Sequence, residues 1–563
     1  MTKRIRWASL PVLILLFAFL PAKAFAATQV VIGINQEPDN LNPAITAMVH
    51  ASYILVPMFR GLVKYGPDLQ YETDLASRLP TVRNGDVSAD GKRVTWRLKR
   101  GQRWSDGREI TAADVRYTLL LQAPDPKKPG FSRTGQKITP GTTTGYDKID
   151  TITTPNRYTV VITFKEIYAP YLTMAGPGIH GVLPAHVYSR FTNLNTGGLN
   201  TKPTVSSGPY KFERWVSGQH IIIVKNSRFS GSPRATIDRI TFKIIPSTQS
   251  LIAAIKAGQV DMAFDMKEQN IPTLASTRGW RMHSKAGLTF EHLDFCFQRS
   301  LFRDKRVRQA VEAAINKQQL VKSLVRGLSE PAASDQPPGS LFADPSLKPS
   351  TYSAATARNL LASAGWRDSD GDGFRDKNGA KLTFRVSTTA GNSLREQMET
   401  LLKAWLKAVG IDLQIQNYSP DVLFAGYAEG GVLQRCKYDL ALFAWGYDSP
   451  DTDTSSIYHS KYIPPKGQNS LYFKNNQLDA NLNAASGTLN LDKRTQNYRA
   501  ASRVLRAEVP TILLYWRSNI SMVKLGIRQD LSNQCKQSPT TCRGFVPHKL
   551  SGQETWNAAT WTR

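Results

Sequence analysis

The sequence predicts an α/β protein of several domains, and three observations carry that prediction. After the proline-rich break EPAASDQPPGS at 330–340, helix and strand patterns alternate: Ala354 to Ala364 helical, Lys381 to Ser387 extended, Leu394 to Val409 helical, Ile411 to Gln416 extended. The middle of the chain is rich in strands, with PYKFERWVSGQHIIIVKN and DRITFKII ahead of a helical STQSLIAAIKAG whose Gly258 stands where a C-cap belongs. The chain has 563 residues, well past the roughly 250–300 at which one hydrophobic core stops growing.

Taken in order, the chain opens with MTKRIRWASLPVLILLFAFLPAKAFAA. A basic start, an apolar run bracketed by Pro11 and Pro21, and small residues ending at Ala26 read as a cleavable secretory signal over 1–26. The apolar run is too short to span a bilayer comfortably as a retained anchor. The first cysteine is Cys296, so a lipid-modified N-terminus is excluded, and a soluble periplasmic protein is expected. In an oxidising compartment the four cysteines suggest two disulfides rather than a metal site. Cys535 and Cys542 enclose a short polar loop that closes easily, and Cys296 would then pair with Cys436 by elimination if their strands are neighbours. Buried free thiols at the second pair stay open as the other reading. The formal net charge is +28, but the basic residues are dispersed and no nucleic-acid module is present, so a solvated basic surface is read rather than a nucleic-acid footprint.

From Gln29 a β-branched strand leads into a loop at Pro38 and Pro43, then a helical HASYILVPMF that stops at Gly61. Val94, Trp96 and Leu98 alternate as a strand, and Thr111 stands three residues before Asp114 as a helix N-cap with an acid in the first turn. LTFEHLDFCFQR reads as a strand, and Asp304 begins an alanine-rich amphipathic helix through Ala314. The continuous apolar run from Leu440 to Trp445 suits a strand covered on both faces, which Gly446 through Pro450 end. Such a strand delivers Trp445, Tyr447 and Asp448 to one edge of a sheet, where binding groups concentrate.

Several motifs in a shared order resemble the extracellular solute-binding proteins of the peptide and nickel class, the ligand-capturing subunits of ABC importers. They are EPDNLNP at 37–43, DGKRVTWRLKRGQRWSDGREITAADV at 90–115, SSGPYKFERWVSGQHIIIVKNSRFSG at 206–231 and IDRITFKIIPSTQSLIAAIKAGQVDMA at 237–263. FRDKRVRQAVEAAIN at 302–316, ATARNLLASAGWRDSDGDGFRDKNG at 355–379 and VLRAEVPTILLYW at 504–516 complete the set. The resemblance implies a two-lobed, hinged periplasmic binding protein of the Venus-flytrap kind with an extra inserted domain. Lobe I would comprise 28–66, 205–288 and 519–563, the inserted domain 67–204 and lobe III 289–518, with hinge segments at Glu291–Phe297 and Arg517–Ile520. It also implies a monomer that binds a short peptide and hands it to an ABC permease complex in the inner membrane, with no bond made or broken.

Trp445-Gly446-Tyr447-Asp448 resembles the W-x-x-D pattern with which peptide-binding relatives hold a ligand's α-ammonium group. Asp448 would be the anionic partner, because a desolvated ammonium needs a carboxylate at hydrogen-bond distance, and Trp445 and Tyr447 would wall the pocket. The loop after EPDNLNP faces the cleft in such proteins, so Met48 is a ligand contact or else the first turn of the helix that follows it. Arg395 is the candidate for the ligand's carboxylate, since an arginine grips one bidentately. Asp368, Asp370, Asp372 and Asp376 match the first nine positions of a calcium loop, but Gly379 replaces the bidentate glutamate at position twelve and Arg367, Arg375 and Lys377 oppose a cation. A polar hairpin without metal is the preferred reading, and no cofactor is expected. No nucleophile elbow or Walker loop is present, and Gly181 and Pro184 between His180 and His186 keep those rings off one helical face. The leading expectation is therefore a peptide-binding transport component. The alternatives are a binder of another solute (metal chelate, haem, glycoside or acidic conjugate) and a secreted hydrolase.

Overall fold

The computed structural model describes residues 27–563 except 68, 327–328, 339, 448 and 529–543. The expected leader, the Cys535–Cys542 loop and Asp448 lie outside the described residues.

A ten-stranded mixed sheet runs through the molecule. From one edge its strands are Asp412–Ile415, Thr383–Ser387, Leu440–Gly446, Trp280–Phe295, Thr511–Lys524, Met262–Ala263, Gln29–Ile34, Arg239–Ile244, His220–Lys225 and Tyr210–Val216. The two long central strands, of 16 and 14 residues, pair antiparallel and belong to both halves of the sheet. Their ladder lapses between the pairs Ala286–Ser518 and Phe290–Trp516, so that Gly287, Leu288 and Thr289 stand opposite Arg517 alone. Glu291 to Phe295, part of the expected hinge, pairs with Leu440–Ala444 on one side, and Glu291 to Asp294 pairs with Thr511–Tyr515 on the other.

Separate cores flank these halves. One gathers Val30, Ile32, Phe242 and Trp561, and another gathers Leu293, Phe384, Leu402 and Ile512. A third is built on the three-stranded sheet of Arg93–Arg97, Thr159–Phe164 and Ile149–Asn156, with Trp96 and Trp104 buried inside it. The local signals in the sequence act as expected. The Asp114 carboxylate accepts the Thr111 N–H at 2.9 Å to start the helix Ala112–Gln122, Asp304 caps Lys305–Ala314, and Gly258 at φ +67° ends the turn after Thr248–Lys256. Cys296 and Cys436 form a disulfide with Cα atoms 5.7 Å apart. Their strands are neighbours, with Phe295 opposite Leu440, so the free-thiol reading is set aside. No helix among the described residues is long and apolar enough to cross a membrane.

Candidate functional site

The strand Leu440–Gly446 alternates between two cores: Leu440 and Leu442 enter one, Ala441 and Phe443 another. That double cover is why the run is apolar throughout, and it ends where the strand emerges at Trp445 and Gly446. Trp445 packs edge-on against Phe443 at 5.5 Å, and its indole Nε1 is buried without a partner among the described residues. Tyr447 stacks on Trp516 at 6.3 Å and donates its hydroxyl to the Asp335 carbonyl at 2.6 Å. Both line a cavity of about 290 Å³, at the lower end of the range for ligand pockets.

Two further carboxylates reach this cavity. Asp451 takes both its bonds from Arg494, at 3.0 and 2.8 Å, so its charge is spent. Asp453 accepts the N–H and hydroxyl of Ser455 with one oxygen, while the other is buried without a partner among the described residues. Met48 also lines the cavity, immediately before the helix Val49–Leu55, and its Sδ accepts the Asp39 N–H at 3.2 Å. The ring of His50 meets Asn35 Oδ1 at 2.9 Å, and burial lowers its pKa to about 4, so it is neutral.

A buried charge cluster sits beside the lapse between the two central strands. Arg395 grips both oxygens of Glu291 at 3.1 and 3.2 Å and donates to Thr389 Oγ1 at 3.2 Å. Arg517 pairs with Asp265 and stands 3.7 Å from Glu291, and Lys267 donates to Asp265 at 2.7 Å. Burial alone would raise the Asp265 carboxyl, but Arg517 and Lys267 outweigh it and hold it below the usual range. Arg395, with Arg517 next, does the same to Glu291. Asp265 also holds φ at +54°, a left-handed backbone costing about 1–3 kcal/mol that its surroundings must enforce. Asp265, Lys267, Arg395 and Arg517 all line the cavity.

The structure thus brings Trp445, Tyr447, Met48 and Arg395 to one cavity. It corrects the expectation that Arg395 is free for a ligand carboxylate, because Glu291 already fills its guanidinium fork. The sequence reading missed Asp265, Lys267, Glu291 and Arg517. A signal existed for two of them: Glu291 inside LTFEHLDFCF and Arg517 inside TILLYWRSNISMV are charges within largely apolar strands, where a charge is seldom buried unless paired. In the aspartate loop, Asp368, Asp370 and Asp372 converge at the surface. Asp376 instead accepts the N–H and hydroxyl of Ser369, and Lys381 pairs with Asp372 at 2.5 Å, so the loop closes as a hairpin on its own bonds.

Residues 70–462 match the family described as bacterial extracellular solute-binding proteins, family 5. The oligopeptide-binding protein AppA of Bacillus subtilis is 26% identical over 494 residues, covering 87% of this chain and 86% of its own. Its structure in complex with a nonapeptide superposes with a TM-score of 0.82 at 22% identity, over 95% of this chain and 98% of that one. NikZ from Campylobacter jejuni, in complex with Ni(L-His), superposes with a TM-score of 0.79 at 23% identity, over 95% and 99%.

Proposed function

The chain belongs to the bacterial extracellular solute-binding proteins of family 5, and from that premise we propose that it captures short peptides in the cavity between its two lobes and delivers them to an ABC permease in the inner membrane. The observation that carries this reading is the cavity wall itself. The cavity wall presents two aromatic side chains together with a buried carboxylate oxygen of Asp453 that has no partner among the described residues, an arrangement suited to a desolvated ammonium group. Trp445 and Tyr447 exclude water, Asp448 holds the peptide's α-ammonium, and Met48 touches the ligand. The lobes are 28–66 with 205–288 and 519–563, and 289–518, with 67–204 inserted. They close about the central strands, and the ligand biases that equilibrium by binding the closed form better. The protein acts as a monomer in the periplasm after loss of residues 1–26, without catalysis and without a cofactor.

Native mass spectrometry of the purified protein, followed by calorimetry with short peptides, tests the reading. Bound masses of short peptides and saturable heats are expected. Asp448→Asn should weaken binding by about 2–5 kcal/mol, as for truncation of one partner of a buried charge pair. Heats with a metal chelate or another solute and none with any peptide would replace the peptide reading. Cleavage of the peptides during incubation would replace the transport reading.

A further inference from the structure

The walls of the cavity differ in chemistry. Among the described residues, every Asp, Lys and Arg that lines it comes from Asp265 onward in the chain. The lining residues between positions 122 and 180 include no Asp, Glu, Lys or Arg. They are small, hydroxyl-bearing, amide and aromatic groups with one imidazole, His180. Most of their hydroxyls are already committed. Thr142 donates to Thr144 Oγ1 at 3.1 Å, Thr173 to the Pro170 carbonyl at 2.9 Å and Tyr146 to the Met174 carbonyl at 2.5 Å.

Gln122 on this wall is not committed. It is the last residue of the helix Ala112–Gln122, follows three leucines and is only 3% exposed, and it lines the cavity. Neither its Oε1 nor its Nε2 has a hydrogen-bond partner among the described residues, and both keep accessible surface. A nearly buried amide without a partner in the protein is costly unless a group entering the space beside it answers its donor and its acceptor. A ligand that displaces water from such an amide loses affinity unless it reproduces the water's bonds. The Tyr168 hydroxyl gives the same wall a second uncommitted neutral group: Tyr168 lines the cavity at 4% exposure, and its hydroxyl has no partner among the described residues.

We propose that Gln122 is a specificity-determining residue that selects peptides carrying a carboxamide side chain, asparagine or glutamine. The proposal rests on the peptide-binding reading of the same cavity. A primary amide presents a C=O and an N–H along one edge, so it accepts from Gln122 Nε2 while donating to Gln122 Oε1. Other groups fail in distinct ways. A carboxylate offers only acceptors and sets one against Oε1, a lysine or arginine offers only donors, and an apolar side chain leaves both Gln122 atoms unanswered. A single trans peptide unit directs its N–H and C=O to opposite sides, so the ligand's main chain does not form the same pair. With no Asp, Glu, Lys or Arg on this wall, a charged side chain gains nothing there to offset the mismatch.

Calorimetry on the wild-type protein decides this, with trialanine peptides in which Gln, Asn, Met or Glu replaces each alanine in turn. At one position a carboxamide peptide is expected to bind about five- to fiftyfold more tightly than its Met and Glu counterparts, which leave the donor or acceptor of Gln122 unanswered. The near-isosteric Gln122→Met should shrink that ratio to about twofold or less, as removal of one partner of an interacting pair does. Its unfolding transition is recorded as a check on folding, and Gln122→Glu, which keeps acceptors but loses the donor, is a second variant expected to shrink the ratio as well. A carboxamide preference that survives in both variants overturns the role of Gln122. Equal affinity for the four side chains at every position overturns the carboxamide selectivity while leaving peptide binding intact. Absence of binding by every peptide overturns the proposal together with the peptide reading on which it rests.

Discussion

If the lobes close on the ligand as proposed, bonds that touch no ligand should hold the closed form, and removing them should weaken binding from a distance. The Thr143 hydroxyl donates to the Lys466 carbonyl at 2.5 Å, and the Tyr462 hydroxyl donates to Asp147 at 3.2 Å. Ala169 N–H and Lys148 Nζ both reach Ser486, at 2.8 and 3.2 Å. These contacts join residues 143–169 to residues 462–486, and neither Thr143 nor Tyr462 lines the cavity. Thr143→Val with Tyr462→Phe removes one neutral bond worth about 1 kcal/mol and one bond to a charged acceptor worth about 2 kcal/mol. The ion pair of Asp147 with Lys461 remains, but Lys461 is 54% exposed and screened, so it offsets little. The closed form thus loses about 3 kcal/mol against the open one, which raises the apparent Kd by roughly 150-fold where the free protein is mainly open. Calorimetry reads the affinity, and small-angle scattering with saturating peptide reads whether the bound state still closes. A double variant whose Kd stays within about twofold of wild type would refute the reasoning, because the bonds would then exist equally in both forms.

Three other outcomes follow from groups elsewhere in the structure. Arg395→Met should cost about 3–5 kcal/mol in urea unfolding, because Glu291 is left buried with only Arg517 at 3.7 Å. Adding Glu291→Leu should recover much of that loss, whereas simple additivity of the two substitutions would deny the coupling. Glu399 is 1% exposed and burial raises its pKa to about 7, so between about pH 4.5 and 7 the folded state holds a proton that the unfolded state has lost. Stability from this group is therefore present at low pH and declines as pH rises through about 7. Glu399→Gln should flatten that part of the stability profile and gain a few kcal/mol at most at pH 8, and an unchanged slope would assign it elsewhere. Millimolar calcium should leave the thermal midpoint unmoved, since Asp376 is tied to Ser369 and Lys381 lies on Asp372; a rise that chelator reverses would restore the calcium reading.

What the sequence revealed and what it hid divide along the distance between interacting residues. The strand Leu440–Gly446, the caps at Thr111 and Asp304 and the turn at Gly258 are decided by neighbours within a few positions, so periodicity and capping residues expose them. The loop order also pointed to Trp445, Tyr447, Met48 and Arg395, which do share a cavity. The charge cluster had no such local signature. Glu291 and Arg395 are 104 positions apart and Asp265 and Arg517 are 252 apart. A lone arginine in a helix cannot show in the sequence that a distant glutamate already fills its fork, so the assignment of a free Arg395 failed for want of its partner. Tyr447 is a similar case: it was expected to wall the pocket, and the sequence could not show that its hydroxyl is bound to Asp335, 112 positions earlier.

The cluster also bears on the puzzle of an acid anchor in a protein of net charge +28. Glu291 is buried and Asp265 and Asp451 are half-buried around the cleft, and each is engaged by arginine or lysine, which draws part of the acidic complement inward and leaves the surface more basic still. Surface charge acts across solvent and is screened beyond about 8–10 Å, so it governs how fast an acidic solute arrives and loses force as salt is added. Groups lining the cavity act at contact in a drier medium, where each unanswered donor or carboxylate oxygen weighs more. Association rate and discrimination are thus assigned to different residues. Raising the salt should slow capture by the dispersed lysines and arginines while leaving the contacts made inside the cavity nearly unchanged.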